Sequence, residues 1–83
     1  MCTYITTTVD VTGSAKGPDG WFPATSATVY FDHPVHAPAE HTLNIDVLNA
    51  SRGPAARVAL ELDRAAARGL AEAILATLAT TEE

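Results

Sequence analysis

Only one stretch of this chain repeats its apolar residues at helical spacing, and it lies towards the C-terminal end. From Arg64 to about Ala79, residues Ala67, Leu70, Ala71, Ile74, Leu75 and Leu78 recur every three or four positions, while Arg64, Arg68 and Glu72 mark the opposite side. Everything before it alternates or turns. A single amphipathic helix buries its apolar stripe against a sheet, so the preceding elements must be strands that supply one. Asp63 stands where an N-cap belongs, because its carboxylate can accept from the open amides of the first turn. Gly69 costs the helix about 1 kcal/mol relative to alanine. Thr80 to Glu83 are expected to fray.

Four runs carry a strand period. Over Thr3 to Val11 the odd positions are the more apolar and the β-branched content is high. Gly13 to Gly20, with Pro18-Asp19-Gly20, reads as the turn. Lys16 within that glycine-rich stretch does not make a phosphate loop, since no Gly-Lys-Ser/Thr opens a helix. The second strand runs from about Trp21 or Ala24 to Asp32, with Thr25, Ala27, Val29 and Phe31 on its apolar side; Pro23 marks an edge or a bulge near its start. The third opens at His41 or Thr42 and points Leu43, Ile45 and Val47 inward, with Thr42, Asn44 and Asp46 outward. Asn49 to Pro54 is a turn, and Ala56 to Leu62 a fourth strand with Ala56, Val58, Leu60 and Leu62 inward. Trp21 and Phe22 are read as core aromatics closing the far end of the sheet.

The expected fold is therefore α+β: a four-stranded antiparallel sheet, in meander order, with one C-terminal helix packed on one face. It makes a single β4α domain over residues 1–83. The second face would carry Tyr4, Thr6, Thr8, Ser26, Thr28, Tyr30, Thr42, Asn44, Asp46, Arg57 and Glu61. Such a Thr/Ser/Tyr surface is either solvated or an interface with another copy. A chain of this length buries only about 60% of its unfolded surface, so oligomerisation, a metal or a bound partner is the usual supplement. A homo-oligomer, most simply a homodimer, is expected.

Concentrated chemistry occurs in one place. All three histidines fall in Asp32-His33-Pro34-Val35-His36-Ala37-Pro38-Ala39-Glu40-His41. Parity matching of the two faces gives the hairpin registers. A first hairpin turning around Lys16-Gly17-Pro18 pairs residues whose numbers sum to about 34, which sets Cys2 opposite Asp32 and Tyr4 opposite Tyr30. In the second hairpin the sum is about 74, which brings His33 beside His41. Cys2, Asp32, His33 and His41 then share one corner, with His36 in the loop above.

Three readings of that corner stay open. His33, His36 and His41 supply imidazole nitrogens and Cys2 a sulfur, the tetrahedral set that zinc or another divalent transition metal prefers, and Pro34 and Pro38 would stiffen the loop. The spacing nonetheless matches no paired Cys or His knuckle. Alternatively the corner belongs to a small enzyme of specialised metabolism. His33 or His36 beside Asp32 or Glu40 would act as base, and Cys2, Tyr4 or Tyr30 as nucleophile or proton donor. In the third reading the histidines are ordinary turn residues of an accessory or interaction domain without a site, and Cys2 is packing.

Charge excludes other classes. Net charge is −5, and Lys16, Arg52, Arg57, Arg64 and Arg68 form no basic run, which disfavours nucleic acid and anionic membrane alike. One cysteine allows no intrachain disulfide. With neither a basic-then-apolar leader nor a spanning segment in this sequence, a soluble cytoplasmic protein is expected.

Gly17 to Phe22 (Gly-Pro-Asp-Gly-Trp-Phe) and Val29 to Asp46 (Val-Tyr-Phe-Asp-His-Pro-Val-His-Ala-Pro-Ala-Glu-His-Thr-Leu-Asn-Ile-Asp), with the opening Met-Cys-Thr-Tyr and the Arg-Gly-Pro before the last strand, resemble a family of small actinobacterial proteins of unknown function. The resemblance covers nearly the whole chain and implies no activity, cofactor or site residue. The Ala-rich composition and the preference for Arg over Lys suit an actinobacterial source.

Overall fold

A computed structural model describes residues 6–33 and 40–81 of the chain. Strands β1 (Thr6–Gly17), β2 (Gly20–Asp32), β3 (Thr42–Leu48) and β4 (Arg57–Leu62) form one antiparallel sheet in the order β1-β2-β3-β4, followed by helix α1 (Arg64–Ala79). The expected α+β meander is thus present. The helix spans the expected residues, and Asp63 Oδ1 caps it by accepting from the Ala66 amide at 2.7 Å.

The first hairpin is tighter and longer than its glycines suggested. Gly17 pairs with Gly20, so the turn is Pro18-Asp19 alone. Pro18 pre-sets the φ that the first turn position needs, and Gly20 takes φ 108°, where a Cβ would be strained. Ser14, Ala15 and Lys16 are strand residues opposite Pro23, Phe22 and Trp21. Between Asp10 and Gly13 the register shifts: three steps on β1 match two on β2 (Asp10 to Ser26, Gly13 to Ala24), the signature of a bulge. Thr6 therefore faces Tyr30, and the register that would set Tyr4 opposite Tyr30 and Cys2 opposite Asp32 is corrected by two residues; Tyr4 and Cys2 themselves lie outside the described residues. The second hairpin follows expectation from Ser26–Leu48 to Asp32–Thr42.

Register then assigns the faces. One face carries Thr7, Val9, Ala27, Val29, Phe31, Leu43, Ile45, Val47, Val58, Leu60 and Leu62, and the other carries Thr8, Thr28, Tyr30, Asn44, Asp46, Arg57 and Glu61. The expectation that only the first is interior needs correction. Thr42 is fully buried and Asn44 5% exposed, whereas Leu43, Ile45 and Val47 are half-buried and Leu60 exposed. The cause is curl. A Cβ on Gly17 would stand 2.9 Å from the Ala55 carbonyl oxygen, so the tip of the first hairpin meets the segment before β4. Phe22, Ala24, Asn49 and Ala56 are buried in that region. Trp21, which neighbours Phe22 and so points to the other side of the strand, is 71% exposed and is not a core aromatic.

Asn49 secures the curl. Its Nδ2 donates to the Pro23 carbonyl at 2.8 Å, beyond the point where β3 stops pairing with β2. Its Oδ1 accepts from the Ser51 amide and hydroxyl, capping the short 3-10 helix Ala50–Arg52. Helix α1 contacts the sheet at β3 and β4, and none of its residues is buried.

Candidate functional site

On the helix-side face the register builds a graded end. Phe31 pairs with Leu43, and Leu43 with Leu62, as one apolar row. Two residues further along, His33 follows directly on the end of β2 and His41 directly precedes β3. Continuing the period of two, both imidazoles leave the sheet on the side where α1 begins. The histidine pair therefore closes the apolar face at the end nearest the helix N-terminus.

The side chains form a stack. The rings of His33 and His41 lie with centroids 4.5 Å apart at 31°, and His41 in turn stacks on Phe31 at 5.8 Å and 14°. The Arg64 guanidinium sits 5.0 Å from the centroid of the Phe31 ring, a cation–π contact of about 0.5–1 kcal/mol at an exposed site. Arg64 reaches this position because β4 ends at Leu62 and the Asp63 cap turns the chain directly into the helix.

One hydrogen bond fixes the chemistry of His33. Its Nδ1 lies 3.1 Å from the Glu40 carbonyl oxygen. A carbonyl only accepts, so Nδ1 carries the hydrogen, and the neutral ring keeps its lone pair on Nε2. The Asp32 carboxylate accepts from the His33 main-chain amide at 2.7 Å. Asp32 pairs with Thr42 on the other face of the sheet. Glu40 orients His33 through its main-chain carbonyl, not through the carboxylate that the sequence suggests.

Beside the stack lies a cavity of about 600 Å³ lined by Thr7, Val29, Tyr30, Phe31, Leu43, His41 and Arg64. Val29, Phe31 and Leu43 give it an apolar wall, and Thr7, Tyr30, His41 and Arg64 bring polar groups to it, a mixture found in small-molecule pockets. On sequence alone Arg64 belongs to the wet side of the helix and Phe31 to the core. The signal that could have placed them is the row of Phe31, Leu43 and Leu62 with Arg64 two residues past its end.

Of the expected site residues, the structure brings His33 and His41 together; His36 and Cys2 lie outside the described residues. Among the described residues, no group of three or more His, Cys, Asp and Glu side chains is placed to hold a metal ion. Tyr30 belongs to a different cluster on the other face. Its hydroxyl donates to Asp46 Oδ2 at 3.2 Å, and Arg57 Nη2 donates to Asp46 Oδ1 at 2.7 Å. Burial, with the Asp46 charge adding to it, raises the Tyr30 pKa above its ordinary value of 10.0. Among the described residues, no helix is long and apolar enough to cross a membrane.

Compared with known proteins, the chain matches a family of unknown function (DUF6295) over residues 1–83, and it belongs to that family. Neither the curated proteins nor the solved structures returned a match.

Proposed function

We propose that the corner between the end of β2 and the start of β3 binds a divalent transition-metal ion, zinc foremost, through His33 and His41. His36 and Cys2 are proposed as the further donors. The observation that carries this reading is the imidazole pair 4.5 Å apart with His33 held by the Glu40 carbonyl. Metal-bound histidines characteristically donate their second ring N–H to a carbonyl or carboxylate, which fixes the tautomer and aims the other nitrogen at the ion. Two nitrogens sharing a tetrahedral zinc at about 2.0–2.1 Å stand about 3.3 Å apart, so the two imidazoles, now 31° from parallel, would turn out of their stack to converge on one ion. A chain so short gains from such a ligand, because binding free energy to the folded form adds directly to stability. The protein is then a small metal-binding domain, and its composition favours an actinobacterial, cytoplasmic setting.

The cavity of about 600 Å³ favours a second reading at the same corner. There a small organic anion would pair with Arg64, and His41 or His33 would transfer a proton, as in an enzyme of specialised metabolism. In this reading Tyr30 is not the proton donor, since its hydroxyl is committed to Asp46.

A zinc titration by calorimetry on untagged full-length chain tests the metal reading. One ion per chain is expected, with affinity reduced at least about tenfold by His33→Ala or His41→Ala, a loss at least as large as that seen for outer-shell partners. No saturable heat in the unsubstituted protein would sink the proposal. Unchanged affinity in the double variant would place the donors elsewhere. Anion binding in the absence of metal that Arg64→Ala abolishes would instead support the second reading.

A further inference from the structure

Helix α1 is amphipathic by sequence yet presents its apolar side to solvent. Leu70, Ile74, Leu75 and Leu78 are exposed, the last three by 52%, 67% and 64%. The sheet face beneath is unfinished too, with Val9 and Leu60 exposed. A stripe of Leu and Ile on the one helix, above a half-covered sheet, is an apolar layer with one side missing.

The surface area gives the size of what is missing. A folded monomer of 8.7 kDa has an accessible surface of about 4,700 Å² by the usual scaling with mass. This chain exposes 6082 Å². The surplus, about 1,300 Å² summed over the whole chain, is large enough to include the roughly 800 Å² per partner that a standard stable interface removes. The radius of gyration points the same way, 13.8 Å against about 11.8 Å for a compact chain of this length.

We propose that a second copy of this chain covers the layer, making a two-fold homodimer through α1 and the apolar sheet face. The polar Thr/Tyr face, the surface the sequence first suggests for self-association, is not the interface: Asn44 there is buried and Asp46 is paired with Tyr30 and Arg57 within one chain. Leu70 and Leu78 lie one turn either side of Ile74. An antiparallel helix pair crossing at Ile74 matches Leu70 with the partner's Leu78, the self-complementarity that a two-fold axis requires. A lipid surface is a poorer occupant. The chain carries −5, so an anionic bilayer repels it, and two arginines against one glutamate on the helix do not offset that. The inference does not depend on metal at the histidine corner.

Sedimentation equilibrium on the full chain tests it. The expected mass is twice 8.7 kDa, and the combined Ile74→Glu and Leu78→Glu variant is expected to sediment at half the mass of the unsubstituted protein with its β circular dichroism retained. In a Cys2→Ser background, Ile74→Cys is expected to form a disulfide-linked dimer on mild oxidation, and Glu72→Cys, on the opposite side of the helix, is not. This second arm decides the matter if the charged variant fails to fold. A monomer across the accessible concentration range would overturn the proposal, whether or not it sediments with vesicles. A dimer that survives both glutamates, or that cross-links equally from Glu72→Cys, would overturn it as well.

Discussion

Tyr30 is a residue whose ionisation the fold resists. Its hydroxyl is part-buried and points at the Asp46 carboxylate, and both effects penalise the phenolate. A raised folded-state pKa means the folded form holds the proton more tightly than the unfolded one. The stabilisation is therefore complete below the ordinary value of 10.0 and is lost as pH rises from there through the folded value. Urea unfolding followed from neutral pH to about pH 11 should show stability falling more steeply in the unsubstituted protein than in Tyr30→Phe. The variant should also be weaker at neutral pH by about 0.5–1.5 kcal/mol, the net worth of one hydrogen bond. Parallel alkaline limbs would mean that Tyr30 is not the group that titrates.

At the scale of elements, the curl of the sheet is the feature on which the rest depends, and Gly17 is its hinge point. A Cβ there would meet the Ala55 carbonyl oxygen at 2.9 Å and the Phe22 ring at 3.3 Å, and backbone cannot easily retreat. Gly17→Ala should therefore cost about 1–3 kcal/mol, the usual range for overpacking. At Gly13, where nothing stands within 4 Å, the same substitution should be neutral or slightly stabilising in chemical denaturation. Equal effects would mean the hairpin tip does not press on the segment before β4. The same elements show how far pattern reading reaches. The helix and the β2–β3 register were legible because each rests on an unbroken period, 3.6 in one and 2 in the other. The β1–β2 register was not, since the extra residue between Asp10 and Gly13 and the narrow Pro18-Asp19 turn leave no mark in the alternation. Alternation also tells which residues share a face, but not which face the curl encloses. Thr42 and Asn44, read as outward, are buried, and Phe22 and Ala24 are buried where the sheet curls.

For the whole molecule, two incomplete surfaces define the account: an apolar layer that α1 leaves open, and a histidine pair at the end of that layer. The pairing of His33 with His41 was legible because the uninterrupted β2–β3 register carries straight to it. The flanking Phe31 and Arg64 were not, because a stack across strand, loop and helix has no linear spacing. Area surplus and helix exposure argue that the layer is closed by association. The His33–Glu40 hydrogen bond argues that the corner is built to present a nitrogen. That presented nitrogen has a direct spectroscopic reading. Long-range proton–nitrogen NMR of the imidazoles reports tautomer and metal ligation together. Metal-free protein should show His33 with its hydrogen on Nδ1, and one equivalent of zinc should shift the His33 Nε2 resonance while that Nδ1–H remains. A His33 hydrogen found on Nε2, or His33 and His41 resonances that zinc leaves unmoved, would contradict it.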